Sequence, residues 1–348
     1  MILSRDRVAS ELELYDNTRV SAFKSCPRLH FFRHVLDYET EVTRAPLVFG
    51  GAWHKAMDTL WPAMVNLGRT PRWQSSWQDA REEIVVNAFA SFQEEWTARG
   101  MPGLDEMESD TYNMLRPRVP TTALEMLYEY TDERRTFLTS PDLELLGVEV
   151  PFVVPLDPNN DSLFYVGRFD KKIALKGRVH GIEHKTTTGY KKNGPFKTTF
   201  VESFSPNSQI DGYLFAGHSE HGKQFKSIMV DAALVHNAET GFRWINVERQ
   251  IQQLDAWLWE TSYWINQIQA NRKALREEEK ANDRPPYLAA FPKNTGACIA
   301  YESTCTYLDL CKMWSNPLGH DVPLGFQVNK WEPFDELDLG KVFGKRRR

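Results

Sequence analysis

The feature that most constrains the fold is a change of sequence pattern at about residue 143. Before it, large apolar side chains recur over residues 75–140 at the three- and four-residue spacing of helices. After it come three segments with the alternation and turn-rich borders of β-strands, namely residues 145–154, 163–175 and 179–186. A helix, a strand pair and a long last helix follow. This order predicts an α/β fold with a helical insertion ahead of the strand-containing core.

Local signals predict where the helices begin and how the chain is organised. Thr18 is expected to cap the first helix, and Pro27 to start the second. The Gly50-Gly51 pair is expected to break the chain before a helix over residues 53–64, and residues 189–205 to form a mobile loop. Five segments result: N-terminal helices (1–57), a helical insertion (58–142), the core (143–250), a C-terminal helix with a cysteine segment (251–318) and a tail (319–348).

Composition bounds the class of protein. Among 348 residues, 41% are hydrophobic and 26% charged, which is typical of globular proteins with a sizeable core. No apolar run approaches the roughly 20 residues of a membrane span, and the N-terminus lacks an apolar signal segment, so we expect a soluble intracellular (cytoplasmic) protein. The net charge of −5 gives no overall attraction to nucleic acid. Local basic clusters are Lys185, Lys191, Lys192 and Lys197, and the tail 345–348, which also fits a solubilising end.

Two predicted strands carry the residues best suited to chemistry, Asp170 on one and Glu183 and Lys185 on the other. Strict alternation points Glu183 and Lys185 the same way, and a hairpin about residues 176–178 brings Asp170 and Glu183 together. Paired carboxylates repel unless a cation lies between them, and a divalent metal there can activate water for phosphodiester hydrolysis. The pattern alone also fits a surface hairpin with alternating charges. Glu149 is either a further acid of the cleft or an exposed strand residue.

Alternation also predicts how the second strand packs. Phe169 and Ile173 are expected on one apolar face that meets the core, with Asp170 on the opposite face. On the last long helix, over about residues 250–278, Ile251 is expected on the buried side together with Leu254.

The Asp170 and Glu183-His184-Lys185 pattern resembles the D…ExK signature of the PD-(D/E)XK nucleases. The glycine-preceded His54 on an early helix, and a Q-x-x-x-Y motif on the helix after the hairpin, resemble its RecB-like branch. The resemblance implies a restriction-endonuclease-like core, a mixed central sheet flanked by helices. The catalytic residues that it implies are Asp170, Glu183 and Lys185. The ligands that it implies for Mg²⁺ or Mn²⁺ are His54, Asp170, Glu183 and the carbonyl of His184. The cleft-lining residues that it implies are Gln209 and Tyr213.

The chain has four cysteines, one early and three late: Cys26, Cys298, Cys305 and Cys311. Since nothing suggests secretion, disulfides are disfavoured, and four thiolates suit tetrahedral zinc or an iron–sulfur cluster. The arrangement resembles the AddB-type helicase–nucleases and the CRISPR-associated RecB-like exonucleases, which implies a 4Fe–4S cluster that joins the two ends of the domain. The six-residue gap between Cys298 and Cys305 departs from the closer spacing common there. Zinc and unrelated buried thiols therefore stay alternatives.

These observations together predict a metal-dependent DNA exonuclease that acts on single strands or ends. With no Walker motif visible, a separate helicase or recombination partner is expected, as for phage, mobile-element or CRISPR-adaptation nucleases. Two alternatives stay open. One is a catalytically quiet DNA-binding or scaffold protein of nuclease fold, and the other is an iron–sulfur or zinc regulatory protein.

Overall fold

A computed structural model describes residues 12–41, 44–70, 76–190, 194, 196–237, 239–280, 285–300, 303–340 and 342. The chain divides into two compact units. Unit 1 comprises Met1–Val42, Pro151–Gly167 and Ile251–Arg348, and unit 2 comprises Thr43–Val150 and Arg168–Gln250. Lys191 and Lys192 of the predicted basic cluster, and the basic tail 345–348, lie outside the described residues.

The helices and strands have the following bounds. The helices are α1 (Asn17–Ser25), α2 (Pro27–His34), α3 (Ala45–Gly68), α4 (Trp77–Ala98), α5 (Ser109–Leu115), α6 (Pro120–Leu138), α7 (Thr198–Glu202), α8 (Ser208–His221), α9 (Ile251–Lys280), α10 (Leu308–Met313) and α11 (Pro333–Glu336). The strands are β1 (Glu13–Tyr15), β2 (Tyr38–Thr40), β3 (Leu143–Pro155), β4 (Leu163–Leu175), β5 (Arg178–Thr187), β6 (Phe225–Leu234), β7 (Gly241–Val247), β8 (Ile299–Ala300), β9 (Ser303–Thr304) and β10 (Phe326–Val328). Within the described ranges, no helix is long and apolar enough to cross a membrane.

Unit 2 is built on a mixed sheet flanked by helices. The end of β4 pairs antiparallel with β5, β5 pairs in parallel with β6, and β6 pairs antiparallel with β7. Strand β3 pairs with β4. Helices α3 and α8 pack against β5, and α6 packs against β7. The α/β fold that the sequence predicts is confirmed, with strands β3, β4 and β5 within two residues of their expected bounds.

Helix α3 corrects one expectation, because it runs through Gly50-Gly51 without a break. Its buried face includes Trp53 and Trp61, both fully buried against α4 and α6. Burying one large apolar side chain contributes about 1.5–3 kcal/mol, whereas a glycine inside a helix costs about 1 kcal/mol. A face with several buried side chains therefore outweighs the glycine pair.

Strand β4 is covered on both faces by helices of unit 2. The Lys171 ammonium donates to Asp58 of α3 at 2.7 Å, and the Lys172 ammonium donates to Glu220 of α8 at 2.8 Å. Both lysines are buried although consecutive side chains of a strand point to opposite faces. The strand consequently has no face exposed to solvent in this region.

The predicted alternation along β4 is wrong near Asp170. Ile173 packs in the core that α3 shares with α4 and α6, as expected. Phe169 instead lies against α8, with its ring centroid 5.4 Å from that of Tyr213. Because Phe169 and Ile173 meet different helices, strict alternation does not hold between them. A strand covered on both faces can place an apolar side chain on either side, so its sequence does not mark the break.

Unit 1 contains the short elements near both ends of the described chain. Asp16, not Thr18, caps α1, because its side chain accepts from the amide of Arg19 at 2.7 Å. Helix α2 begins at Pro27 as predicted. Strand β1 pairs in parallel with the start of β4, and β2 pairs antiparallel with β10. Leu339, in the predicted tail, is fully buried against apolar residues of β3 and β4.

Two smaller expectations are also corrected. Residues 198–202, within the predicted mobile loop, form helix α7. Ile251 is 59% exposed, whereas Leu254 is buried as expected. Ile251 is the first residue of α9, where a side chain has only part of a helical turn beside it to pack against.

Candidate active site

Asp170 lies where α3, β4 and β5 meet in unit 2. Its Oδ2 accepts the backbone N–H of His184 at 2.7 Å and lies 3.3 Å from Nδ1 of His54. Burial alone would raise the pKa of Asp170, but the adjacent His54 imidazole and its hydrogen bond hold that pKa well below its usual range. The same carboxylate raises the pKa of His54 against the opposing effect of burial. Asp170 is therefore an anion held by a histidine and a strand amide.

Glu183 is the more deeply buried of the two acids. Its side chain is 2% exposed, and Oε1 lies 2.5 Å from the ammonium of Lys185. Burial and the negative charge of Asp170 raise the pKa of Glu183 to about 7, although Lys185 acts in the opposite direction. The second oxygen, Oε2, is buried and has no hydrogen-bond partner within the described residues. A buried carboxylate oxygen without a partner is rare, because its desolvation is uncompensated.

The four predicted residues form two neighbouring ion pairs, His54 with Asp170 and Lys185 with Glu183. Burial opposes the charge on Lys185, yet Glu183 and Asp170 together raise its pKa. Each carboxylate thus has its own cation. Across the described ranges, no group of three or more His, Cys, Asp or Glu side chains has the arrangement of a metal site.

The side chain of His184 is fully buried, and its ring meets the His54 ring edge-on with centroids 5.9 Å apart. Its Nδ1 lies 3.3 Å from Oδ2 of Asp231 on β6. Asp231 and its partners Arg134 and Tyr130 were not among the predicted residues. A signal was present, since Asp231 is the one acid within the otherwise apolar run of residues 228–234, but a sequence alone does not give its partners on a distant helix.

Three further predicted residues, Gln209, Tyr213 and Glu149, also lie in unit 2. Gln209 donates to the hydroxyl of Tyr213 at 3.0 Å, so the Q-x-x-x-Y pair is joined on α8. Glu149 pairs with Arg168 at 2.5 Å. Burial raises the pKa of Glu149, and the negative charge of Asp170 raises it further. Glu149 is therefore close enough to the pair of acids to interact with Asp170 electrostatically.

The four cysteines all lie in unit 1. Cys26 is buried at the start of α2, and its Sγ accepts the amide N–H of Asn294 at 3.3 Å. Cys305 donates its backbone N–H to the carbonyl of Cys298 at 2.9 Å across the β8–β9 hairpin. Burial raises the pKa of Cys311, with further contributions from Cys26 and Cys305. The Cys311 thiol is thus close enough to those of Cys26 and Cys305 to interact with each electrostatically.

Hydrogen bonds join α2 to the segment that precedes the late cysteines. Arg28 donates to the carbonyls of Phe291 and Leu288, each at 3.0 Å. Asn294 donates from its side chain to the carbonyl of Ser25 at 2.7 Å. The cationic Lys293 and Arg28 oppose the effect of burial on Cys311, whose pKa is raised overall.

Comparisons with known proteins give the following relatives. The structure of a putative exonuclease from Eubacterium rectale is similar at 12% identity and a TM-score of 0.43, over 92% of this chain and 100% of that one. The structure of SSO0001 is similar at 14% identity and a TM-score of 0.25, over 58% of this chain and 74% of that one. No curated protein sequence matches significantly. A family model described as PD-(D/E)XK nuclease superfamily matches residues 17–312. Since that match spans well over half of the chain, the protein belongs to the PD-(D/E)XK nuclease superfamily.

Proposed function

We propose that this protein is a DNA exonuclease dependent on Mg²⁺ or Mn²⁺, with its active site at Asp170, Glu183 and Lys185. The observation that carries the proposal is the buried Oε2 of Glu183, which has no hydrogen-bond partner in the described part of the chain. An oxygen of this kind, beside a second carboxylate, fits a hard divalent cation better than it fits any group present. His54 and the carbonyl of His184 complete the proposed ligand set with Asp170 and Glu183.

The residues of the site have distinct roles in this proposal. When bound, the divalent cation supplies Lewis acidity toward the phosphate and lowers the pKa of a water molecule. Asp170 is kept anionic by its surroundings, so it is ready to act as a ligand at neutral pH. Binding of the cation requires Glu183 to be ionised and His54 to lose its proton to become a ligand. Lys185, 31% exposed, stabilises the negative charge that develops on the phosphate.

Substrate contacts in the proposal come from α8. Tyr213 and Gln209 are hydrogen-bonded to each other, and the Tyr213 ring packs on Phe169 beside Asp170. This arrangement joins the Q-x-x-x-Y pair to the strand that carries Asp170. Single strands or ends are the proposed substrate.

The test is cleavage of end-labelled single- and double-stranded DNA by anaerobically purified protein, with and without Mn²⁺. Glu183→Gln is the matched control, since it keeps the shape of the side chain and removes its charge. We expect Mn²⁺-dependent release of nucleotides from an end by the wild type and none by Glu183→Gln. If the folded wild type cleaves no DNA, the proposal is contradicted, and a catalytically inactive DNA-binding protein is favoured. Internal cuts in circular DNA would contradict the exonuclease assignment alone.

We propose further that Cys26, Cys298, Cys305 and Cys311 hold one 4Fe–4S cluster, as in the RecB-like nucleases that the chain resembles. The support is the electrostatic interaction of Cys311 with Cys26 and with Cys305, together with the cations Lys293 and Arg28, which oppose the effect of burial on Cys311. Thiolates are the usual protein ligands of such clusters, and nearby cations favour thiolates. The proposed role of the cluster is structural, because it would join segments far apart in the chain. Cys26 already accepts a hydrogen bond from Asn294, 268 residues later.

Anaerobic purification tests the cluster directly. Brown protein with absorption near 400 nm and about four irons per chain is expected. Stoichiometric zinc without iron would contradict the cluster and support the zinc alternative. Loss of colour in a Cys305→Ser variant, with retention in Ser303→Ala of the same hairpin, would assign the ligand.

A further inference from the structure

A buried polar network lies next to the candidate active site, around His184, whose side chain alternates with those of Glu183 and Lys185 along β5. Its centre is Asp231 of β6, which is 2% exposed between two fully buried apolar residues. In the parallel register of β5 and β6, Asp231 stands directly beside His184. Moving a carboxylate into such surroundings costs several kcal/mol, so its partners must compensate.

Both helical partners of Asp231 come from α6. Arg134 of α6 donates to Oδ1 from Nη2 at 2.9 Å and from Nε at 3.3 Å. The hydroxyl of Tyr130, also on α6, donates to Oδ2. Trp61 of α3 donates from Nε1 to the Tyr130 oxygen at 2.8 Å. The carboxylate is therefore bound through both oxygens, and the network reaches α3.

His184 connects this network to the active site. Its Nδ1 lies 3.3 Å from Oδ2 of Asp231, and its ring meets the Trp61 ring edge-on with centroids 5.5 Å apart. Its backbone N–H donates to Asp170 on the other side. Trp61 also stands seven residues after His54, and this spacing puts both on the same face of α3. The network thus ties the helix of His54 to the strand of the other candidate residues.

Stability alone does not explain an ion pair in this position. Replacing a buried ion pair by packed apolar side chains is often neutral or stabilising, because both charges lose their hydration. What apolar residues do not provide is a directional contact that fixes one imidazole orientation. A shift of about 1 Å in a catalytic group can cost about a hundredfold in rate.

We propose that Asp231 is a positioning residue: its carboxylate, 3.3 Å from Nδ1 of His184, holds that imidazole in one orientation and so fixes the backbone between Glu183 and Lys185. Arg134 and Tyr130 hold Asp231 for this role, and Trp61 sets the distance from α3 to β5. As far as catalysis is concerned, the inference rests on the proposed nuclease function. The orientation of the His184 ring is a structural claim that can be measured without any cleavage.

The experiment compares Asp231→Asn, the double variant Asp231→Leu with Arg134→Met, and Asp132→Asn. Asp132→Asn is the control. Asp132 lies on α6, the helix that carries Arg134, but it pairs with Arg81 at 2.7 Å and not with Asp231 or His184. The measurements are kcat and KM for DNA with Mn²⁺, the thermal unfolding midpoint, and ¹⁵N spectra of histidine-labelled protein. His184 is assigned by the signal that disappears in His184→Gln.

We expect Asp231→Asn to lower kcat about 10- to 100-fold with KM within about threefold of the wild type. Its ¹⁵N spectrum should show shifted ring signals of His184, because the neutral amide removes the negative charge beside Nδ1. The double variant should unfold near the wild-type midpoint, because it leaves no buried charge unpaired, but its kcat should stay as low as that of Asp231→Asn. The control should change neither kcat nor the His184 signals.

Two outcomes would overturn the inference. One is an unchanged His184 spectrum in Asp231→Asn, and the other is a kcat that returns to the wild-type value when the double variant restores stability. If the wild type itself cleaves no DNA, the nuclease proposal fails, whereas the ¹⁵N spectra still decide whether Asp231 orients His184.

Discussion

The two units of this protein bring polar groups together by different routes. In unit 2, Asp170 and His184 are 14 residues apart and are joined by the pairing of neighbouring strands. In unit 1, Cys26 meets Asn294 across 268 residues of chain. A hairpin closes a short loop at little entropic cost, whereas a contact between distant segments must offset the ordering of a long one. We therefore expect substitutions in unit 2 to affect chemistry first, and substitutions at the cysteines to affect folding first.

The largest expected effect is on catalysis. Lys185→Ala and Asp170→Ala should each lower the cleavage rate about a thousandfold or more, since each removes charge stabilisation or a metal ligand. Lys172→Ala is the matched control, because that lysine pairs with Glu220 on the other side of β4. Cleavage rates per folded protein, with folding followed by circular dichroism, check this prediction. Near-wild-type digestion by either variant would remove that residue from the site.

Next in size is the effect of Cys26→Ala on stability. Loss of a cluster ligand, together with the Asn294 hydrogen bond, should give insoluble protein or lower the unfolding midpoint by about 10 °C or more. Ser25→Ala, at the neighbouring exposed position, should leave the midpoint within about 2 °C of the wild type. Residual activity should fall in proportion to the unfolded fraction. A fully stable Cys26→Ala variant would break the contrast between the two units.

His54→Ala should change the use of metal more than the binding of DNA. Removal of an imidazole ligand should raise the Mn²⁺ concentration for half-maximal cleavage about tenfold or more, with DNA affinity within about twofold. The measurement is a Mn²⁺ titration of cleavage beside a DNA-binding isotherm. Identical titration curves for the variant and the wild type would assign His54 to packing alone.

The smallest expected effect is the pH dependence of stability without divalent metal. Burial first, and then Asp170, raise the pKa of Glu183 from 4.5 in the unfolded chain to about 7. The folded state therefore holds a proton that the unfolded state has released, and this contribution, present below pH 4.5, is lost as the pH rises through about 7. The loss should be about 3 kcal/mol, and Glu183→Gln should lack it. Unfolding midpoints of both proteins between pH 4.5 and 8, with chelator, measure the difference. Parallel pH profiles would contradict a buried ionising Glu183.

The sequence predicts local features of this fold better than contacts between distant residues. The strands with Asp170 and Glu183 follow from alternation and turn residues nearby, and so does the start of α2 at Pro27. The break in alternation near Asp170 depends on helices that cover both faces of β4, which the strand's own residues do not encode. The partners of Asp231 were missed for the same reason, since α6 lies about a hundred residues earlier in the chain.

Lys171, the first of the two consecutive buried lysines of β4, makes the separation of α3 from β4 measurable by chemical labelling. An amine-directed acylating reagent should modify Lys185, which is 31% exposed, and spare Lys171, whose side chain is fully buried. Any acylation of Lys171 in native protein would therefore count the moments when α3 separates from β4. Since α3 also carries His54, the labelling rate would measure how often the candidate site comes apart.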